Sequence, residues 1–162
     1  MRFEDAVHRY ASDLYRYAYW LARNREQAQD IVQEALLRAW RGYPRLRDPA
    51  AVKGWLFSIV RNEYLRTLES KPTSLEGLDG VDVVDERYSG PAVEMREAML
   101  ALPASYAEPL ALQVLGGFSC AEIAAMLGTS EGATMTRLTR ARQALRRLIA
   151  PAGERERRGG RA

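Results

Sequence analysis

Residues 119–148 constrain the fold more than any other segment, because they predict two helices joined by a tight turn. Ser119 and Glu122 have the spacing of a capping box, which begins a helix. Gly128 ends that helix, since glycine readily adopts the left-handed conformation found at helix C-termini. Apolar Ile123 lies between these two signals and gives the helix a buried side. The segment therefore predicts a helix-turn-helix.

The second helix of this pair begins after Thr129 or Ser130, because either hydroxyl can cap it. At 100° per residue it has one apolar or small stripe and one polar face. The stripe consists of Thr134, Leu138, Ala141, Leu145 and Leu148. The polar face consists of Gly132, Thr136, Thr139, Arg140, Gln143 and Arg147. Such a face can contact base edges and phosphates, and it equally fits an ordinary solvated helix surface.

Charge is distributed unevenly along the 162 residues. Residues 1–68 carry twelve Lys and Arg against eight Asp and Glu, whereas residues 69–97 carry three against eight. Residues 137–162 carry nine arginines against two acids. Basic ends around an acidic middle indicate two modules that face nucleic acid and a connector that avoids it.

Several classes of protein are disfavoured. No apolar run has the length of a membrane span, and Glu4 and Asp5 stand where a signal peptide has basic residues. The single cysteine, Cys120, excludes an internal disulfide framework, and the single histidine, His8, has no metal-ligand spacing around it. We therefore expect a cytoplasmic protein that is not an enzyme and uses no metal or other cofactor.

Apolar periodicity predicts helices along most of the chain. Before the helix-turn-helix they span residues 3–22, 26–42, about 49–68, 92–101 and 104–114. We expect Ile31, Leu36 and Trp40 to lie in the core. Pro109 must occupy a first turn or kink its helix.

The periodicity stops between Ser70 and Pro91, where glycine, proline and acids accumulate. A structureless segment of that length is unusual inside a compact domain. The expected fold is therefore all-α, with two small helical domains joined by an acidic flexible linker. The predicted divisions are residues 1–69, the linker 70–91, a second domain 92–150 and a basic, disordered tail 151–162.

Two stretches of the first domain carry a family resemblance. Residues 25–40 (REQAQDIVQEALLRAW) and 55–62 (WLFSIVRN) resemble the second conserved region of bacterial extracytoplasmic-function (ECF) sigma factors. The pairs and runs at 102–103, 117–119, 122–128 and 137–142 look like their fourth region. The resemblance covers about residues 5–148 in the family's order. It implies an alternative sigma factor that binds core RNA polymerase and directs promoter-specific transcription initiation.

The resemblance also implies roles for individual residues. The first domain would recognise and melt the minus-10 element, with Asn62 beside the pocket for a flipped base, and the second would bind the minus-35 element. The residues implied for core polymerase are Asp30, Gln33, Glu34 and Arg38, which would dock on the clamp helices of its largest subunit. Those implied for minus-10 DNA are Lys53, Trp55, Ser58, Arg61, Asn62 and Arg66. Those implied for minus-35 DNA are Thr134, Met135, Thr136, Arg137, Thr139, Arg140 and Gln143.

The chain departs from the family pattern at a few positions, and two alternatives remain open. Met135 stands where relatives frequently carry Lys or Arg, and Glu63 lies directly after Asn62, whereas many relatives have their acid a few positions later. A sigma-like decoy that titrates an anti-sigma factor, or a free-standing helix-turn-helix repressor or activator, would share parts of the pattern.

The family also implies an anti-sigma partner, which the residues do not identify. A further hypothesis concerns the linker acids, which would run near the RNA exit path and mimic RNA. These acids are Asp79, Asp82, Asp85 and Glu86.

Overall fold

The structure is a computed structural model, and it describes residues 2–70 and 97–149. All regular elements within these ranges are helical, which confirms the all-α expectation there. They are α1 (Phe3–Ala22), α2 (Arg25–Gly42), two 3₁₀ turns (Tyr43–Arg45 and Pro49–Ala51), α3 (Val52–Ser70), α4 (residues 97–101), α5 (Ala104–Gly116), α6 (Cys120–Leu127) and α7 (Glu131–Ile149). The predicted tail, and the predicted linker beyond its first residue, lie outside the described residues.

The chain divides into two compact units, one built on α1–α3 and the other on α6 and α7 with α4 and most of α5. The helices of the first unit are separated by specific backbone signals. Arg23 ends α1 in the left-handed conformation, with φ of 58°. Asn24 then begins α2, because its side-chain oxygen accepts a hydrogen bond from the Gln27 amide at 3.1 Å. Adjacent residues thus end one helix and start the next.

Aromatic and small residues form the core of the first unit. Tyr17 of α1 and Phe57 of α3 are fully buried, and their ring centroids lie 5.2 Å apart. Helix α2 packs against both helices. Its most buried positions are mainly alanines, of which Ala28 and Ala39 are completely covered. Small inward residues allow helices to approach closely, and Ile31 and Val32 are the larger side chains that α2 also buries.

The helix-turn-helix is confirmed in detail. The Ser119 hydroxyl accepts a hydrogen bond from the Glu122 amide at 3.2 Å, and the Glu122 carboxylate accepts one from the Ser119 amide at 3.0 Å. Gly128 ends α6 with φ of 66°. Of the two candidate caps for the next helix, Ser130 fills the role, because its hydroxyl accepts from the Ala133 amide at 3.1 Å. Side chains and one glycine therefore satisfy the helix ends at the turn.

The core of the second unit follows only part of the predicted stripe on α7. Leu138 and Ala141 are buried together with Ile123 of α6, but Leu145 is half-buried and Leu148 is 38% exposed. The prediction that Leu148 belongs to the core is wrong. At 1.5 Å per residue, the eight residues of α6 span about 12 Å and the nineteen of α7 about 28 Å. The short helix therefore covers only part of the long one.

Pro109 lies at the sixth position of α5 and is buried, so the alternative that placed it in a first turn is wrong. A proline there has no amide proton to donate to the carbonyl of Ser105. The buried apolar residues on α5, such as Leu110 and Leu112, hold this helix in place despite the lost hydrogen bond.

The turn glycine generates a stability prediction. A side chain added at Gly128 or at Gly132 would meet no atom within 4 Å, but only Gly128 has a positive φ. Gly128→Ala should therefore lower the free energy of unfolding of the second unit by about 1 kcal/mol through backbone strain alone. Gly132→Ala, in an ordinary helical conformation, should raise it by up to about 0.5 kcal/mol.

Urea denaturation followed by circular dichroism measures both changes. Equal effects of the two substitutions would contradict the role given to the left-handed turn.

Candidate DNA and polymerase surfaces

Helix α3 carries most of the predicted minus-10 residues on the side away from the core. Lys53 is the exception, because it precedes Asn62 by nine residues and therefore lies on the opposite side of the helix, over Tyr10 of α1. Leu56, Phe57 and Val60 are buried against the other helices, whereas Asn62 and Arg66 are exposed. The remaining predicted residues are half-buried, namely Lys53, Trp55, Ser58 and Arg61. The spacing of four residues from Ser58 through Asn62 to Arg66 places these three on one face of the helix. The structure therefore brings a hydroxyl, an amide and a guanidinium group to one surface, with Arg61 at its edge.

Two of these residues are also held by neighbours within the first unit. The Lys53 ammonium lies 5.9 Å from the centre of the Tyr10 ring, a cation–π distance. The Trp55 ring lies 6.5 Å from that of Tyr43, and a side chain at Gly42 would approach it to 3.2 Å. Trp55 is thus partly packed, and only part of its ring is accessible for stacking on a base.

Helix α2 exposes all four residues predicted to bind polymerase, Asp30, Gln33, Glu34 and Arg38. It also exposes two large apolar side chains that the sequence did not assign to this surface. Leu37 is exposed, and Trp40 is 63% exposed. The prediction of Trp40 as core is therefore wrong, and Leu36 is only half-buried. The inward position is taken by Ala39 instead.

The signal for this error was available in the sequence. α2 has more apolar residues than one stripe of a helix can bury, because Leu36, Leu37 and Trp40 occupy different angular positions from Ile31 and Ala39. Trp40 also lines an open cavity of about 320 Å³ at the start of α1. The other residues that line it are Phe3, Glu4, Val7 and His8. The aromatic ring therefore has room on its outer side.

Helix α7 presents most of the predicted minus-35 residues to solvent. Met135, Thr136, Thr139, Arg140 and Gln143 are exposed, and Arg137 is half-buried. The Thr139 hydroxyl donates to the Met135 carbonyl at 2.9 Å, so towards an external partner its oxygen can only accept.

Thr134 is the exception on α7. It is 1% exposed, and its hydroxyl donates to the Ser130 carbonyl at 3.0 Å. Its position in the packed stripe is confirmed, and its prediction as a DNA contact is corrected, because buried atoms cannot reach a groove. Arg142 differs from Arg140 in another way. It is exposed, and its guanidinium donates to the side-chain oxygen of Gln113 on α5.

The acidic side chain of Glu63, for which the sequence predicts no role, links the predicted polymerase surface to the predicted minus-10 surface. Glu63 of α3 is 7% exposed, and its carboxylate pairs with Arg38 of α2 and with Arg66 one turn further along α3.

Within residues 2–70 and 97–149, no group of three or more His, Cys, Asp or Glu residues could hold a metal ion. No helix in this part of the chain is long and apolar enough to cross a membrane.

Comparison with known families accounts for both units. Residues 6–72 match the family model of sigma-70 region 2, and residues 92–145 match that of sigma-70 region 4. The chain is 34% identical over 152 residues to the ECF RNA polymerase sigma factor SigM of Mycobacterium tuberculosis, covering 91% of this chain and 76% of that protein. It is 30% identical over 157 residues to SigM of Bacillus subtilis, covering 91% and 95%.

A solved structure has the same fold. It is the sigma factor RpoE from Bartonella quintana, which was crystallised in complex with the anti-sigma factor NepR. The TM-score is 0.77 at 26% sequence identity, and the match covers 93% of this chain and 98% of that one. Two sigma regions in the family's order, relatives matched over most of their length, and a shared fold lead to one conclusion: the chain belongs to the ECF family of RNA polymerase sigma factors, which direct promoter-specific transcription initiation and are not enzymes.

Proposed function

We propose that this sigma factor uses three separate surfaces during initiation. The outer side of α2 binds core polymerase, the outer side of α3 recognises and melts the minus-10 element, and the exposed side of α7 binds the minus-35 element. The observation that carries this proposal is the exposure of Asn62 and Arg66 on α3, and of Thr136 and Arg140 on α7, each set opposite a buried face.

On α7 the length and chemistry suit the major groove. Its nineteen residues extend about 28 Å, and an α-helix fits that groove. Arg137 and Arg140 contact guanines or phosphates, and Thr136 contacts a base edge. Met135, which carries no charge, packs on a thymine methyl group. Thr139 accepts a further hydrogen bond, Gln143 accepts or donates one, and the buried Thr134 takes no part.

On α3 the proposal assigns base reading to Asn62 and backbone binding to the cations. An amide both donates and accepts, as the edge of a flipped base requires. Arg61 and Arg66 bind phosphates, which fix the position of the strand. Ser58 adds a hydroxyl on the same face. The accessible part of the Trp55 ring stacks on an unpaired base and stabilises the melted state.

On α2 the charged residues surround an apolar centre. Leu37 and Trp40 are large, exposed and adjacent on the helix to Gln33 and Glu34. Interfaces commonly have such an aromatic anchor surrounded by polar residues that exclude water. We assign the anchor to Trp40, with Asp30 and Arg38 as the charged rim that selects the partner.

The family relationship supports regulation by an anti-sigma factor, since the similar sigma factor RpoE was crystallised in complex with one. Such a partner would cover the polymerase and DNA surfaces at once. The protein works in the cytoplasm, where polymerase and promoters are found. A free-standing helix-turn-helix regulator is disfavoured because it leaves the region 2 match unexplained, and a decoy has no need of the exposed DNA residues.

The polymerase surface is tested by reversing charge. Asp30→Lys with Glu34→Lys should weaken binding to sigma-free core polymerase by about 100-fold, because it replaces attraction by repulsion at the rim. Asp13→Lys with Glu69→Lys changes the net charge equally on α1 and α3 and should leave the affinity within about threefold. Fluorescence anisotropy of labelled sigma measures both, and equal losses would contradict the assignment.

The minus-10 surface is tested on the assembled holoenzyme. Asn62→Ala should reduce open-complex formation by about tenfold, because the flipped base loses a bidentate partner, while binding to core polymerase stays unchanged. Glu69→Gln on the same helix serves as the control. Permanganate reactivity of unpaired thymines reports the opening, and normal opening by the Asn62 variant would refute its role.

The minus-35 surface is tested through salt. Arg140→Ala should lower the slope of the logarithm of the holoenzyme's promoter affinity against the logarithm of salt concentration by about 1, as expected for one lost phosphate contact or charged base contact. Arg142→Ala should leave the slope unchanged, because its guanidinium is bonded to Gln113. Filter binding across a salt series compares them, and an unchanged slope for the Arg140 variant would count against major-groove contact.

A further inference from the structure

The buried carboxylate of Glu63 connects two of the surfaces described above. Its Oε1 atom pairs with Nε of Arg38 on α2, and it accepts a hydrogen bond from Nη1 of Arg66 at 3.2 Å. Both arginines therefore use the same oxygen of one side chain. The Glu63 side chain is 9% exposed, so this contact lies largely inside the first unit.

Each arginine remains available to a partner outside the protein. The side chains of Arg38 and Arg66 are 46% and 52% exposed. A guanidinium group has five N–H donors, so one that gives a single donor to Glu63 retains others for a phosphate or carboxylate. Each guanidinium is thus held at one nitrogen, while its other N–H groups can reach a partner. This arrangement lowers the entropy lost when the outer end binds.

Because the acceptor is shared, the two arginines are not independent. A buried carboxylate that loses one of its two cations holds the other more strongly, since an uncompensated buried charge is costly. Removal of Arg38 would therefore draw Arg66 towards Oε1 and away from the surface of α3. Members of one ion-pair network generally show coupled energies for this reason.

We propose that Glu63 is a positioning residue that couples the polymerase surface of α2 to the minus-10 surface of α3 by sharing one carboxylate oxygen between Arg38 and Arg66. Contact of polymerase with Arg38 then changes how strongly Glu63 binds Arg66. Assembly with polymerase thereby alters the position of a side chain that contacts DNA. The inference rests on the proposed function, which assigns Arg38 to polymerase and Arg66 to phosphate.

A double-mutant cycle on the full chain tests this coupling. Open-complex formation is measured with Arg38→Ala, Arg66→Ala and the double variant, each in holoenzyme assembled at saturating sigma. The same cycle is repeated with Glu63→Gln, which keeps the shape and removes the charge. In the presence of Glu63, the reduction in open-complex formation caused by Arg66→Ala should be at least about threefold smaller when Arg38 is already absent. With Glu63→Gln the two effects should be independent.

A structural role alone would give the opposite sign, because removing both arginines leaves the buried Glu63 carboxylate uncompensated, so Arg66→Ala would reduce activity more when Arg38 is absent. Thermal unfolding of each variant accounts for stability differences. Arg41→Ala, another exposed arginine on α2 that is not a partner of Glu63, replaces Arg38 in a control cycle and should be additive with Arg66→Ala.

The outcomes separate the inference from the proposed function. Additive effects of Arg38→Ala and Arg66→Ala in the presence of Glu63, or coupling that persists with Glu63→Gln, overturn the coupling and leave the surface assignments standing. If Arg38→Ala leaves core-polymerase binding unchanged, the coupling and the role assigned to Arg38 are both overturned. If Arg66→Ala leaves promoter opening unchanged, the coupling and the role assigned to Arg66 are both overturned.

Discussion

Close packing of α2 against α1 and α3 through alanine side chains determines what the first unit shows to its partners. Ala28, Ala35 and Ala39 occupy inward positions, where larger residues would push the helices apart. The charged and amide side chains of α2 and the Trp40 ring therefore lie on the exposed side of the helix. The same packing brings α2 beside α3 closely enough for Arg38 to reach Glu63. The proposed polymerase surface and its proposed link to the minus-10 surface both depend on this packing.

Sequence signals predicted local structure well wherever one residue type is required by geometry. The Ser119–Glu122 box and the left-handed Gly128 are examples, because short polar side chains cap helix N-termini and glycine adopts a positive φ without strain. α1 has its predicted bounds, and α2 begins one residue earlier than predicted. These features depend on neighbours in the chain, which a single sequence contains in full.

Predictions that required knowledge of the packed neighbour were less successful. Trp40 fits the apolar periodicity of α2, yet the inner side of that helix is occupied by Ile31, Val32 and three alanines. Leu148 follows the periodicity of α7 but lies beyond the span of the short α6. Periodicity places Thr134 in the packed stripe and the family resemblance places it on the DNA face, and its burial decides between them. Glu63 lacked a role for the same reason, since its partner Arg38 lies on another helix.

Two helices in different units are proposed to recognise the two promoter elements, and selection from a promoter library randomised over both elements tests this proposal most directly. Transcripts made by the reconstituted holoenzyme should reveal two separate blocks of sequence preference. Substitutions on α3 should change only the downstream block, and substitutions on α7 only the upstream one. A single block, or a change in both blocks from either helix, would contradict the division of promoter recognition proposed for this protein.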